Sequence, residues 1–177
     1  MEKHKSCSFF GHRKIEETEE LKIHLQSVII NLIENENIKI FLFGSKSDFN
    51  LLCHTIVTKL KEKYPQLQRR AYTCQSETCT LEKERAYLEE IYSNFEKRPI
   101  TLLGVEEEVE HKTKYDAGKA SYVERNKAMI NDSDFCVFYY DKNYFPPTKT
   151  ISGTKIAYEY AVRKKKNIIN LFNNKTL

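Results

Sequence analysis

Asp134-Phe135-Cys136-Val137-Phe138-Tyr139-Tyr140-Asp141 is the stretch from which the fold is read. It is apolar, aromatic and β-branched, it ends on an acid, and the loop after it leads through Ser152-Gly153-Thr154 into a helical pattern. A parallel strand buried on both faces and feeding a phosphate-type loop has this composition. Helical segments flank it on either side, Tyr122-Val123-Glu124-Arg125-Asn126-Lys127-Ala128-Met129-Ile130 before and Ser152-Gly153-Thr154-Lys155-Ile156-Ala157-Tyr158-Glu159-Tyr160-Ala161 after.

Outward from this unit, strand and helix alternate almost throughout. Ser6–Phe10 reads as a short strand stopped by Gly11-His12-Arg13, and apolar residues at Leu21, Leu25, Val28, Ile29 and Leu32 predict an amphipathic helix over 15–33. Ile38–Phe43 is a buried strand that runs into Gly44-Ser45-Lys46-Ser47-Asp48. A second helix follows, apolar at Phe49, Leu52, Ile56, Val57 and Leu60 and closed before Pro65. A third strand is expected over 67–72, a charged helix over 81–95 within a helical insertion at about 74–98, and a fourth strand over 100–104. The polar stretch 105–118 predicts a loop with marginal helix, placed as a mobile flap. A helix over 119–131, a strand over 135–141, a loop holding Pro146-Pro147, a helix over 153–165 and a strand over 167–171 complete the chain. The alternation predicts an open, mostly parallel sheet with helices on both faces, in one domain spanning 1–177, with ligands bound at the carboxyl ends of the strands.

Composition narrows the function class. Twenty-nine basic against 25 acidic residues give a formal charge of +4, too small by itself to require a nucleic-acid partner, although Arg163-Lys164-Lys165-Lys166 is a local basic cluster. Five scattered cysteines make no disulfide framework, and Cys74 and Cys79, spaced C-x4-C, have no second pair nearby that would complete a zinc site. No metal or cofactor is expected. The N-terminus lacks the apolar core of a signal peptide and no apolar run approaches the ~20 residues of a membrane span, so the reading is a soluble, cytoplasmic protein without membrane contact.

The strand-end loops carry the chemistry. Gly44, Ser45 and Asp48 lie at the start of a helix, where backbone N–H groups favour an anion, although Ser47 or Asp48 acting only as a cap reads equally well. Ser152, Gly153 and Thr154 repeat the arrangement one strand on. Tyr122, Arg125, Asn126 and Met129 share one helix face, and Arg125 with Asn126 offers a planar fork for phosphate beside a group that donates and accepts, as ribose or base recognition requires. The alternative is an ion pair from Arg125 to Glu124 or Asp132 with Asn126 exposed to solvent. His12 and Arg13 stand where a ligand is reached from the opposite side, and Tyr139, Tyr140, Tyr144 and Phe145 either stack on a base or belong to the core.

These residues together resemble a known family. Phe10-Gly11-His12-Arg13, Phe43-Gly44-Ser45 to Asp48, Tyr122-x-x-Arg125-Asn126-x-x-Met129, the strand ending at Asp141, and Ser152-Gly153-Thr154 with Tyr160-Ala161 occur in the order seen in the SLOG superfamily, closest to its YpsA-like branch. The resemblance covers about residues 6–171. It implies a Rossmann-like three-layer sandwich that binds a nucleotide or nucleotide-derived small molecule, commonly as a homodimer. Within the superfamily, LOG enzymes hydrolyse the N-glycosidic bond of nucleoside monophosphates and DprA-type members bind single-stranded DNA. The ligand site implied here is Gly11, His12, Arg13, Gly44, Ser45, Asp48, Arg125, Asn126, Asp141, Ser152, Gly153 and Thr154. Where the hydrolases resemble Gly-Gly-x-Gly-Thr-x-x-Glu, this chain has Ala157 in place of the carboxylate, and Glu159 lies roughly 200° around the helix from it. A glycosidase or deoxyribosyltransferase would have to recruit Asp48, Glu124 or Asp141 instead. The leading expectation is therefore a binding module or sensor, with the enzyme as alternative and single-stranded nucleic acid on the surface around Arg163–Lys166 as a third reading.

Overall fold

The computed structural model describes residues 4–44, 47–74, 105–112, 114, 119–147 and 150–172. Its elements are β1 (Lys5–Gly11), α1 (Glu19–Glu34), β2 (Ile38–Phe43), α2 (Asp48–Leu60), β3 (Gln68–Cys74), β4 (Glu107–His111), α3 (Lys119–Asn131), β5 (Phe135–Tyr139), α4 (Gly153–Arg163) and β6 (Asn167–Asn170). The six strands form one sheet in the order β4-β3-β2-β1-β5-β6, and every pairing is parallel. The expected helix over 81–95, most of the insertion at 74–98 and the strand over 100–104 fall outside the described residues, as does Ser45.

Strand alternation splits the core into two layers. Cys7, Phe9, Phe41, Phe43 and Val137 face α1 and α2, where they meet Leu25, Ile29, Leu32, Phe49, Cys53 and Val57. Phe10, Ile40, Leu42, Cys136 and Phe138 face the other way onto Met129 and Ile130 of α3 and Ala157 and Ala161 of α4. Phe9 stacks on Phe41 and Phe43 with ring centroids 5.8 and 5.3 Å away, tying β1 to β2 within one layer. Ala157 and Ala161 are small where α4 crosses the sheet. This is the expected three-layer Rossmann-like sandwich.

Two expectations are corrected. Helix α1 begins at Glu19, later than the hydrophobic spacing implied, because the Thr18 hydroxyl accepts from the Leu21 N–H at 3.1 Å and fixes the cap there. The stretch from 105 is no flap over its length, since Glu107–His111 is the edge strand β4, in register with Arg70–Cys74. Its charges are what an edge tolerates, and the two acids at its start, Glu106 and Glu107, are paired with cations from β3 and the end of α2. Arg69 Nη2 donates to Glu106 Oε1 at 2.9 Å, the Arg69 backbone N–H donates to Glu106 Oε2, Lys61 Nζ lies 2.9 Å from Glu106 Oε1, and Arg70 Nε meets Glu107 at 2.5 Å. Burial works against the charge on Glu106, yet the bonds from Arg69 and Lys61 outweigh it and hold the carboxyl down at about 2.

The site is positioned by the crossing at β1. This strand pairs with β2 on one side and β5 on the other, Gly11 lying opposite Tyr139, so the chain connections diverge between their carboxyl ends. Open parallel sheets form their ligand crevices at such a point. Gly11 also admits α2: a Cβ there would lie 2.4 Å from the Phe49 Cβ and 2.5 Å from its Cγ, and Phe49 is fully buried. Gly11→Ala is expected to cost about 2 kcal/mol of stability through overpacking and to displace the loop that follows β1. Chemical denaturation checks this, and an unchanged midpoint would refute it.

Candidate functional site

A cavity of about 570 Å³ opens at the switch point, within the size range of small-molecule sites. Gly11, His12 and Arg13 line it from the end of β1, Ser47 and Asn50 from the start of α2, Lys119, Tyr122, Arg125 and Asn126 from α3, and Ser152, Gly153 and Thr154 from the start of α4. Tyr144, Pro146, Pro147 and Ile151 of the loop after β5 add an apolar wall.

Arg125 is the buried cation among those lining this cavity, which also include Arg13 and Lys119. It is buried, with its guanidinium 5.3 Å from the centre of the Tyr122 ring, and Nη2 donates to Asn126 Oδ1 at 3.1 Å. That bond orients the fork and leaves Asn126 half-buried. Gly44 makes the seat: a Cβ on it would come within 3.0 Å of Arg125 Nη2. Gly44 therefore acts beneath the arginine and does not itself line the cavity.

The two helix starts differ. At α4, the Ser152 hydroxyl serves as the N-cap, accepting from Lys155 N–H at 3.0 Å, and the backbone of Gly153 and Thr154 forms the positive end of the helix dipole at the cavity. At α2, Ser47 is the cap and accepts from the backbone N–H and the side-chain amide of Asn50, each at 3.0 Å. The same amide donates to Phe9 O at 3.3 Å, and Asn50 Oδ1 accepts from Gly44 N–H at 3.0 Å. Asn50 thus stitches β1, β2 and α2 together under the site. Sequence reading missed it, because nothing local marks a helix asparagine whose partners lie on two strands.

His12 is buried. Its Nε2 accepts the Asp141 backbone N–H at 3.0 Å, and its ring lies 4.2 Å, centroid to centroid, from Tyr144. Burial lowers its pKa, and the charge of Asp141 opposes this only in part, so the ring is neutral around pH 7. Lys119 Nζ donates to the Ile151 carbonyl and bridges the mouth between α3 and the loop before α4.

The three carboxylates considered for catalysis point elsewhere. Asp48 pairs with Lys14 at 3.5 Å and its N–H donates to Arg13 O; Asp141 Oδ1 accepts from Asn143 N–H at 2.8 Å; and Glu124 Oε2 accepts from Lys114 N–H at 2.7 Å. None of the three lines the cavity. The basic cluster after α4 is at the other end of the helices. Lys166 Nζ caps the carbonyl end of α3, donating to Asn131 O and Ser133 O, while Arg163, Lys164 and Lys127 surround the Tyr160 ring at 5.7, 5.4 and 5.5 Å. Among the described residues no helix is long and apolar enough to cross a membrane.

Sheet order and the position of the cavity define a Rossmann-like α/β protein built around a switch-point site. Within that class, a family model described as the YspA SLOG family, YpsA, matches residues 3–176, and the chain belongs to this family. No curated protein matches it. Among solved structures, DNA processing protein A from Helicobacter pylori, described for its unique single-stranded DNA binding mode, is similar in fold. It is 14% identical, with a TM-score of 0.56 over 97% of this chain and 67% of that one.

Proposed function

We propose that this protein binds a nucleotide or nucleotide-derived ligand in the switch-point cavity and works as a binding module or sensor. The reading rests on one observation above others: a buried arginine fork on α3 and the amino end of α4 meet in one cavity at the carboxyl ends of parallel strands. Phosphate oxygens suit Arg125 and the N–H groups of Gly153 and Thr154, and Asn126 suits a sugar hydroxyl. Family membership supports the same class of ligand. With Asp48, Glu124 and Asp141 outside the cavity lining and alanine at position 157, binding is favoured over glycosidic cleavage. The chain is taken as one domain acting as a homodimer in the cytoplasm.

Native mass spectrometry of freshly purified protein, followed by calorimetry with ribonucleoside mono- and diphosphates, tests the proposal. A retained or titratable nucleotide is expected, and absence of both across the panel would sink it. Gly153 supplies a finer probe, because a Cβ there meets nothing within 4 Å. Gly153→Ala should leave thermal stability unchanged or slightly raised, yet weaken nucleotide binding by roughly 10-fold if the ligand backbone approaches the helix start as closely as glycine permits. Equal affinity for the variant would place the phosphates away from α4.

A second reading is single-stranded nucleic acid, favoured by the fold likeness to a protein that binds it. The ring of cations around Tyr160 supplies a surface for a stacked base and its phosphates. Such binding weakens steeply as salt rises, through counterion release, whereas capture of a single nucleotide in the cavity is much less sensitive.

A further inference from the structure

Of the two ring nitrogens of His12, one is hydrogen-bonded and the other is not among the described residues. Nε2 accepts an N–H from the Asp141 backbone, so that nitrogen carries a lone pair and the proton of the neutral ring sits on Nδ1. Nδ1 is buried and has no hydrogen-bond partner among the described residues. Buried donors are almost always satisfied, and one that is not calls for an explanation. The ring belongs to the lining of the cavity and packs, tilted, against the ring of Tyr144, a partly exposed residue of the loop after β5.

We infer that His12 is a ligand-recognition residue that presents Nδ1–H to a neutral acceptor of the bound molecule, and that Tyr144 covers this donor in the empty protein and moves aside when the ligand enters. The inference rests on the nucleotide reading above and assigns the two ends of the ligand. Anionic groups belong with Arg125 and the start of α4. The surroundings of His12, with Phe10, Tyr144, Pro146 and Pro147 along the same cavity, are apolar and their donor is uncharged, which suits a carbonyl oxygen or ring nitrogen of a base and disfavours a phosphate. Asp141 contributes through its backbone N–H, which fixes the tautomer, while its carboxylate accepts from Asn143 N–H.

Two variants of His12 separate recognition from scaffolding. An asparagine amide stands near the position of Nδ1, whereas a glutamine amide stands near that of Nε2. His12→Asn should retain nucleotide affinity within about 3-fold and His12→Gln should lose at least about 10-fold. The reverse order would show that the ring serves only to hold the Asp141 backbone, overturning the inference. The cover is tested independently. The sequence contains no tryptophan, so Tyr144→Trp installs a single tryptophan, excited selectively over the tyrosines at long wavelength, at a partly exposed loop position. Addition of the same ribonucleoside mono- and diphosphates should shift its emission in parallel with the calorimetric isotherm. Calorimetric binding with unchanged emission would remove the cover. No heat with the unsubstituted protein would take down the nucleotide reading itself and this inference with it.

Discussion

Replacing Arg125 with alanine is expected to lower nucleotide affinity at least about 100-fold, equivalent to roughly 3 kcal/mol. The size follows from where the guanidinium sits. It is buried, braced by Asn126 Oδ1 and the face of Tyr122, and seated on Gly44, so it meets an anion in a desolvated, fixed orientation. A charged hydrogen bond made there is worth more than one at the surface, and two can be made at once. Arg125→Lys should recover little of the loss, because an ammonium replaces a planar, bidentate fork with a point charge. Arg125→Met keeps the aliphatic stem and guards against a packing artefact. If its melting temperature matches that of the unsubstituted protein and its affinity does too, the phosphate role of Arg125 is wrong.

Acidification should destabilise the fold between pH 6.5 and 4 through a residue far from chemistry. His54 of α2 is buried edge-on to Phe43, ring centroids 5.0 Å apart, and neither ring nitrogen has a hydrogen-bond partner among the described residues. Burial, reinforced by the charge of Arg69, lowers its pKa to about 4. In the unfolded chain the same imidazole titrates near 6.5. As pH falls below that value the unfolded state takes up the proton first, so the stability contributed by neutral His54 is complete above pH 6.5 and is lost progressively down to about pH 4. The whole loss is about 3 kcal/mol. His54→Leu should abolish this part of the acid sensitivity, seen in urea midpoints at pH 7, 5.5 and 4.5, while leaving the lower window in which Glu106, held down at about 2, becomes protonated. Parallel pH profiles for the two proteins would contradict the assignment.

The parts of this molecule legible in the sequence are those encoded locally. Cys136–Phe138 and Ile38–Phe43 pack on both faces because helices cover both, and short β-branched and aromatic runs bounded by turn residues read as such strands. The helix face of Tyr122, Arg125, Asn126 and Met129 was readable for the same reason: helical periodicity alone brings them together, and Met129 goes to the core while the other three line the cavity. What was lost depends on partners remote in sequence. Glu107–His111 looks like a loop until Arg69 and Arg70 are set beside it, since only Val109 among its residues packs on the core. Asp48 and Asp141 stand in the right loops, but a loop position does not state which way a side chain turns, and both turn to neighbours outside the cavity. Gly44, read from the sequence as a ligand residue, instead gives clearance to an arginine.

The central position of β1 bears on how the chain is made. Ser6 exchanges bonds with Asp134, its N–H donating to Oδ2 at 2.9 Å and its carbonyl accepting from the Asp134 N–H, across 128 residues. At a synthesis rate of roughly 5–20 residues per second, on the order of ten seconds pass between the emergence of β1 and that of its neighbour β5. A half-sheet β1-β2-β3 formed in that interval would have a bare flank at β1, open to pairing with another nascent chain. The arrangement that creates the binding crevice therefore also makes β1 the strand that waits longest for one of its neighbours.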